Sequence, residues 1–566
     1  SMIRRNGSRG VHGIIPEFGA VPNDAKDDTV AVSNALAAAA QNGGGTVLFP
    51  RGRFKVHGTL ALPPRVRIKG ASQKLTCVYW PDTMTPPADL VTLREGSGVS
   101  DLLLSSGQHR SGITAYDAKG NLGRVEDILL ENLTLRFVSD QQRDPCRRGG
   151  ETNFLARYRM LGTAVKIPDS RRVRLRNVDV YTDRDATASL HFNVGGEWID
   201  ISDSRFRGTG YSMLDGGPVV FENNEGLGTT FSLRHYCNRM YFGRNRMRLK
   251  YAGDREAVTL DGGRNAFANR DAPKKGFRKT SYYLAKGTVD GSRVTLEAPP
   301  EEAINLHYAE QPSAWVGRHV RILSGRGAGQ FRRIVAAGDW RHFEIERPFD
   351  VLPDGTSRFE LTFERNRILI VDNEMEDVGL TQLYGGATDV VIAGNVANRA
   401  GGFEGYGLIG RLPCWSVMFL GNRIVDGNNV RGPHDPKAPH DALIGSQVLS
   451  GPFEVPMNRA FVIRDNVIEA NGRIMLGGVH GAVVEGNSVS ESDYGIVGNR
   501  YPNTCWIGPN AFTNVNHVYT GLDAAVFGER ARRMGKISRR PRSMAKVRTS
   551  FDGTENAAGG YFVADL

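Results

Sequence analysis

Long apolar runs are missing from these 566 residues. No stretch of about 18 consecutive apolar residues occurs, so no helical membrane span is expected. Cysteine is scarce: Cys77, Cys146, Cys237, Cys414 and Cys505 are far apart and odd in number. No Cys-x-x-Cys or Cys/His metal spacing appears, which excludes a disulfide framework or zinc site and predicts buried free thiols. Acids are absent from residues 530–548, which hold nine of the Lys and Arg behind the net charge of +11. Without that stretch the body is near +2, so the balance argues for a solvated basic tail and against a nucleic-acid partner. The first residues, Ser1-Met2-Ile3-Arg4-Arg5, read as a trimmed terminus, compatible with removal of a secretory signal.

Glycine, by contrast, is plentiful: 68 residues with no Gly-X-Y period, in a chain that is 40 % hydrophobic. That combination predicts many tight turns between short strands. A unit of apolar alternation, polar residue, Asn and further alternation recurs along the chain. It is centred on Asn132, Asn177, Ser204, Asn223, Asn245, Asn366, Asn395, Asn422, Asn466, Asn487 and Asn510. Several spacings lie near 22 residues, the period of a parallel β-solenoid whose coils stack about 4.8 Å apart. Asn suits a solenoid corner because it tolerates the left-handed conformation and its amide can bond backbone groups of adjacent coils.

The opening segment carries Glu17-Phe18-Gly19-Ala20-Val21, Asp24, Asp27-Asp28-Thr29, then Gly43-Gly44-Gly45-Thr46-Val47 and Phe49-Pro50-Arg51-Gly52. These residues resemble the start of the pectate-lyase superfamily of right-handed β-helices. The resemblance implies a right-handed parallel β-helix whose end is closed by a capping helix, here 29–41 with Asp28 as N-cap. It also implies action on, or binding of, polysaccharide. The fold class expected is therefore all-β: β-helix over 13–276, an inserted β module over 277–362, β-helix again over 363–523, and a basic tail over 524–566.

Aligning coils by their Asn lines up Leu214, Leu233, Leu260 and Leu383 as a core column, which turns Asp215, Arg234, Asp261 and Tyr384 outward. Asp215 and Asp261 would lie two coils, roughly 9–10 Å, apart. That approaches the separation of about 6.5–9.5 Å at which two carboxyl groups act as acid and base around a water in an inverting glycosidase. Asp215 and Asp261 are thus the first candidates for catalysis, with Glu256 and Glu404 in reserve. Arg234, His235, Asp254, Arg255 and Asp377, the last stacked on Asp254 in a charged turn, are candidates for substrate binding. Tyr384, Tyr406, Trp415, Arg431 and His434, the last two in the Pro-rich loop 431–441, complete that set as polar clamps and aromatic platforms.

The catalytic sets familiar from the resemblance are incomplete: the Asn-x-Asp, Asp-Asp, Gly-His-Gly and Arg-x-Lys combination is absent, and Asp27-Asp28 belongs to the opening segment. Neither the pectate-lyase arginine motif nor Asp-Pro-His-Glu occurs, although His434-Asp435-Pro436 is similar to the latter. Three function classes follow. A glycoside hydrolase with a carboxylate pair comes first. A polysaccharide lyase acting on uronates, with Arg234, His235 or Tyr384 as base, comes second, and a tailspike-like or adhesin-like glycan binder third. No cofactor is expected, with Ca²⁺ only if the chemistry is elimination. The partner expected is a poly- or oligosaccharide, met outside the cytoplasm, by a monomer or a homo-oligomer such as a trimer.

Overall fold

The computed structural model describes residues 11–83, 85–107, 111–137, 163–182, 190–233, 237–249, 256–260, 282–297, 312–339, 341–362, 365–408, 413–427, 442–449, 458–498, 503–522, 525–527 and 537–538. The chain forms a right-handed parallel β-helix, divided into two compact units: residues 1–233 with 238–252, and residues 234–237 with 253–566.

In the first unit the helix Thr29–Gln41 buries Ala31, Val32, Ala35, Leu36 and Ala39 and so covers the first coil. Asp28 stands at its N-cap position, but its side chain does not bond the helix. Its carboxylate accepts instead from Val21 N (3.2 Å) and Lys55 N (3.1 Å), tying the entry segment to the first coil, while Asp27 accepts from Thr29 N at 3.0 Å. The predicted capping bond is therefore made by the neighbouring acid. Beyond the helix, strands as long as Thr163–Thr182 bend around the coil at left-handed residues, Asp169, Arg172 and Asn177. Phe206, Phe221 and Phe242 stack in the core, the last two at 4.9 Å and 10°.

The second unit repeats the scheme with a regular register. Ile370, Ile392, Phe419, Ile463, Val484 and Ile507 pair rung on rung and are fully buried. Within it, strands from Tyr282–Ala285 to Arg358–Thr362 make a seven-stranded antiparallel sheet with its own core, including Val320, Ile334, Phe343 and Phe359. A buried ion pair, Arg321–Glu360 at 2.7 Å, joins that core to the β-helix, because Arg321 also donates to Thr388 Oγ1 at 3.1 Å.

The asparagine repeat resolves into two adjacent columns. The first is left-handed and holds Asp101, Asn132, Asn177, Asp203, Asn223 and Arg244 in the first unit, and Asp372, Gly394, Gly421, Asp465 and Gly486 in the second. The next residue of each coil points inward. It is apolar at Leu102, Leu133 and Val178, then polar at Ser204, Asn224 and Asn245, and in the second unit at Asn373, Asn395, Asn422, Asn466, Asn487 and Asn510. Asn224, Asn245, Asn395, Asn422, Asn466, Asn487 and Asn510 each accept from the preceding coil's backbone and donate to a carbonyl: Asn422 Oδ1 takes Asn395 N (3.1 Å) and its Nδ2 reaches Ile392 O (2.8 Å). Asn132, Asn177 and Asn223 thus belong to the exposed column, and Asn224 and Asn373 take the places expected of Asn223 and Asn366. Left-handed backbone and inner amide both favour Asn, which is why a one-residue slip is hard to see. Cys237, Cys414 and Cys505 are buried free thiols, whereas Cys77 is only half-buried.

Candidate functional site

In the second unit, strands Val258–Thr259, Leu380–Tyr384, Gly402–Leu408, Ala442–Leu449 and Gly472–Leu476 stack in parallel. Phe403 fills the core, and a Cβ on Gly405 would lie 2.7 Å from the Phe461 ring, so residues 403 and 405 point inward. By alternation Gln382, Tyr384, Glu404 and Tyr406 share the outer side. That side is nonetheless closed: Glu404 is fully buried, Tyr406 is 1 % exposed and Tyr384 7 % exposed.

Glu404 is the chemically unusual group. Its Oε1 accepts from Gln382 Nε2 at 2.5 Å, and its Oε2 has no partner among the described residues. Along the column it lies between Gln382 and Gly445, with Met475 and Val497 beyond. Gly445 must be glycine, since its φ is 143° and a Cβ would come within 2.0 Å of Met475 O. Leu380, Leu443, Met475 and Val497 form an apolar cluster on the same side. Burial in this setting, only partly opposed by the Gln382 bond, pushes the carboxyl up to about 7. A carboxyl so placed is half protonated near neutrality and can donate or take a proton there. Beside it the rings of Tyr384 and Tyr406 stack at 5.5 Å and 15°.

Gln382 was not anticipated. The signal was the shared Gln-Leu-Tyr and Glu-Gly-Tyr pattern of 382–384 and 404–406, which sets Glu404 on Gln382 rather than near the turn of Asp377. Asp377 itself is left-handed (φ 52°) and is gripped with Glu376 by Arg399, at 2.8 Å and 2.7 Å. Trp415, expected as a sugar platform, is 2 % exposed. It packs between Arg321, Arg459 and Phe331, with ring distances of 5.1, 5.9 and 6.3 Å. Glu256 is also buried.

In the first unit the Leu column holds where it was expected, Leu214 pairing Leu233, as Leu260 lies against Leu383 in the second. Asp215 follows Leu214, half-buried, and its Oδ1 accepts from Gly216 N at 2.9 Å, a bond that belongs to its own turn. Arg234, His235, Asp254, Arg255, Asp261, Arg431 and His434 lie outside the described residues, as do Cys146 and most of the basic tail. Among the described residues no group of three or more His, Cys, Asp or Glu could hold a metal, and no helix is long and apolar enough to cross a membrane.

Residues 15–84 match a family described as rhamnogalacturonase A/epimerase, pectate lyase-like. Mannuronan C5-epimerases AlgE2 and AlgE3 of Azotobacter vinelandii are each 31 % identical to the chain, over 150 and 151 residues, or 23 % of its length. The match spans only 15 % and 8 % of those proteins. Among solved structures, the A-module of mannuronan C-5 epimerase AlgE4 from Azotobacter vinelandii is 13 % identical, with a TM-score of 0.36 over 91 % of this chain and all of that one. The Streptococcus pneumoniae surface adhesin PfbA reaches 16 % and 0.41 over 91 % and 93 %. An exopolygalacturonase from Thermotoga maritima reaches 11 % and 0.34 over 95 % and 94 %. The fold rests on the strand register described above. The chain is a right-handed parallel β-helix protein with a pectate-lyase-like amino-terminal segment.

Proposed function

We propose that this chain is a carbohydrate-active enzyme that cleaves glycosidic bonds in a poly- or oligosaccharide, with Glu404 as the proton donor. One observation carries the reading: a fully buried carboxyl with one oxygen unpartnered among the described residues, held near pH 7 on the outer side of a β-helix strand. Departure of a sugar alkoxide needs a proton near neutral pH, and an acid raised by burial supplies it. Asp215, Asp261 and Glu256 remain the candidates for the second carboxylate of a hydrolase. A polysaccharide substrate of this kind would be met outside the cytoplasm.

A second reading, proton abstraction at C5 of a uronate followed by elimination or epimerisation, is favoured by the stacked Tyr384 and Tyr406 beside Glu404. Epimerisation at C5 is the reaction named for the AlgE relatives. Incubation with a panel of neutral and uronate glycans separates these outcomes. New reducing ends without ultraviolet absorbance indicate hydrolysis, an unsaturated uronate indicates elimination, and solvent deuterium at C5 without chain cleavage indicates epimerisation. Glu404→Gln should abolish whichever turnover appears; turnover equal to that of the unaltered protein would overturn the role of Glu404. No product from any glycan would leave glycan binding as the function.

A further inference from the structure

Away from Glu404, a groove of about 890 Å³ opens on the first unit. It is lined mainly by strands Glu126–Phe137, Thr163–Thr182, Leu190–Ser202 and Val219–Glu222, together with Arg67, Asp203 and Pro218. Trp198 stands in it with 57 % of its surface exposed and a left-handed backbone, φ 59°. Large apolar side chains seldom take that conformation, and the neighbouring coils put Asp127 and Arg172 at the same position. The fold therefore does not call for an indole there.

Around Trp198 the side chains alternate between donors and acceptors. Arg174 faces Asp200, and Arg176 faces Asp203, each at 3.6 Å. These pairs are more than two-fifths exposed and too long for direct hydrogen bonds, so they contribute little to stability. Their forks can exchange a weak ion pair for bonds to a ligand. Arg172 is more tightly held, 2.6 Å from Asp127. With Arg67 and Glu222 also lining the groove, its positive and negative groups are equal in number. The solvent face need not be polar: the corresponding outer column of the second unit reads Leu369, Val391, Met418, Val462, Val483 and Trp506.

We propose that this groove binds an uncharged glycan chain, with Trp198 as the platform under a sugar ring and the Arg174–Asp200 and Arg176–Asp203 forks on its hydroxyls. A hydroxyl donates and accepts at once, which suits paired guanidinium and carboxylate groups. A polyanion would meet the carboxylates, and a polycation the arginines. The two forks bridge the same two coils and lie two residues, about 6–7 Å, apart along the strand at Arg174 and Arg176, so one glycan chain laid along the strands meets both. The indole offers an apolar face to the C–H side of the ring.

The test is a binding assay on the full chain with neutral hexasaccharides of β-1,4-glucan, β-1,3-glucan, α-1,4-glucan and β-1,4-galactan, read by calorimetry and tryptophan fluorescence. Polygalacturonate and alginate serve as charged controls. At least one neutral glycan should bind with an affinity insensitive to salt. Trp198→Ala should weaken it about tenfold and Trp198→Phe much less. Asp200→Ala should also weaken it, which guards against a local effect of removing the indole. Glu404→Gln should bind as the unaltered protein does, so failure of the catalytic reading leaves this one standing. The proposal is overturned if no neutral glycan binds, if only the charged polymers bind, if Trp198→Ala changes nothing, or if it alters self-association alone.

Discussion

Replacing Glu404 by Gln tests the buried carboxyl through stability, independently of any substrate. The substitution keeps the shape and leaves an amide oxygen to accept the Gln382 bond, but removes the titration. Below pH 4.5 both the folded and the unfolded chain hold the proton, and the group adds no pH dependence. Between 4.5 and about 7 only the unfolded chain releases it, so the unaltered protein loses stability as the pH rises. Above about 7 the full penalty is present. A rise from 4.5 to about 7 corresponds to roughly 3 kcal/mol. Denaturant unfolding of both proteins across this range should therefore show the variant gaining on the original by about 3 kcal/mol, then a plateau. A difference that stays flat with pH would refute the burial argument. If the same group is the proton donor, kcat of the unaltered enzyme should fall as the pH rises through about 7, about tenfold per pH unit.

Other consequences concern the framework. Asn224→Ala should cost about 2–4 kcal/mol, because it strands the Ser204 N–H (2.9 Å) and Ile201 O (2.9 Å). Asn223→Gly, one residue earlier and left-handed, should change stability by less than about 0.5 kcal/mol; equal melting shifts for the two would refute the two-column description. Arg321→Met should cost about 3–5 kcal/mol by leaving Glu360 charged and buried. Adding Glu360→Met should restore most of it, and a thermal double-mutant cycle without coupling would exclude the pair as the tie between module and β-helix.

How much of this was legible in the sequence depends on which physical signal each residue carries. Leu214, Leu233, Leu260 and Leu383 were readable because alternation gives a core column an unambiguous phase. The asparagines were readable as a repeat but not as two columns, since Asn223 and Asn224 satisfy the same corner statistics with opposite exposure. Trp415 and Tyr406 looked like sugar platforms because an aromatic beside a loop reads alike whether exposed or packed. It is the Arg321, Phe331 and Arg459 side chains, far off in sequence, that show Trp415 to be packed.

Glu404 shows most clearly where sequence and fold part company. Its column runs Thr259, Gln382, Glu404, Gly445, Met475, Val497, so uncharged residues satisfy the same backbone position on every neighbouring coil. The β-helix has no structural use for a carboxylate there, and ionising it costs roughly 3 kcal/mol at neutral pH. A leucine or methionine would avoid that cost and extend the cluster of Leu380, Leu443 and Met475. A destabilising group that only one coil carries, beside two stacked tyrosines, is what chemistry near pH 7 requires and what stability alone disfavours.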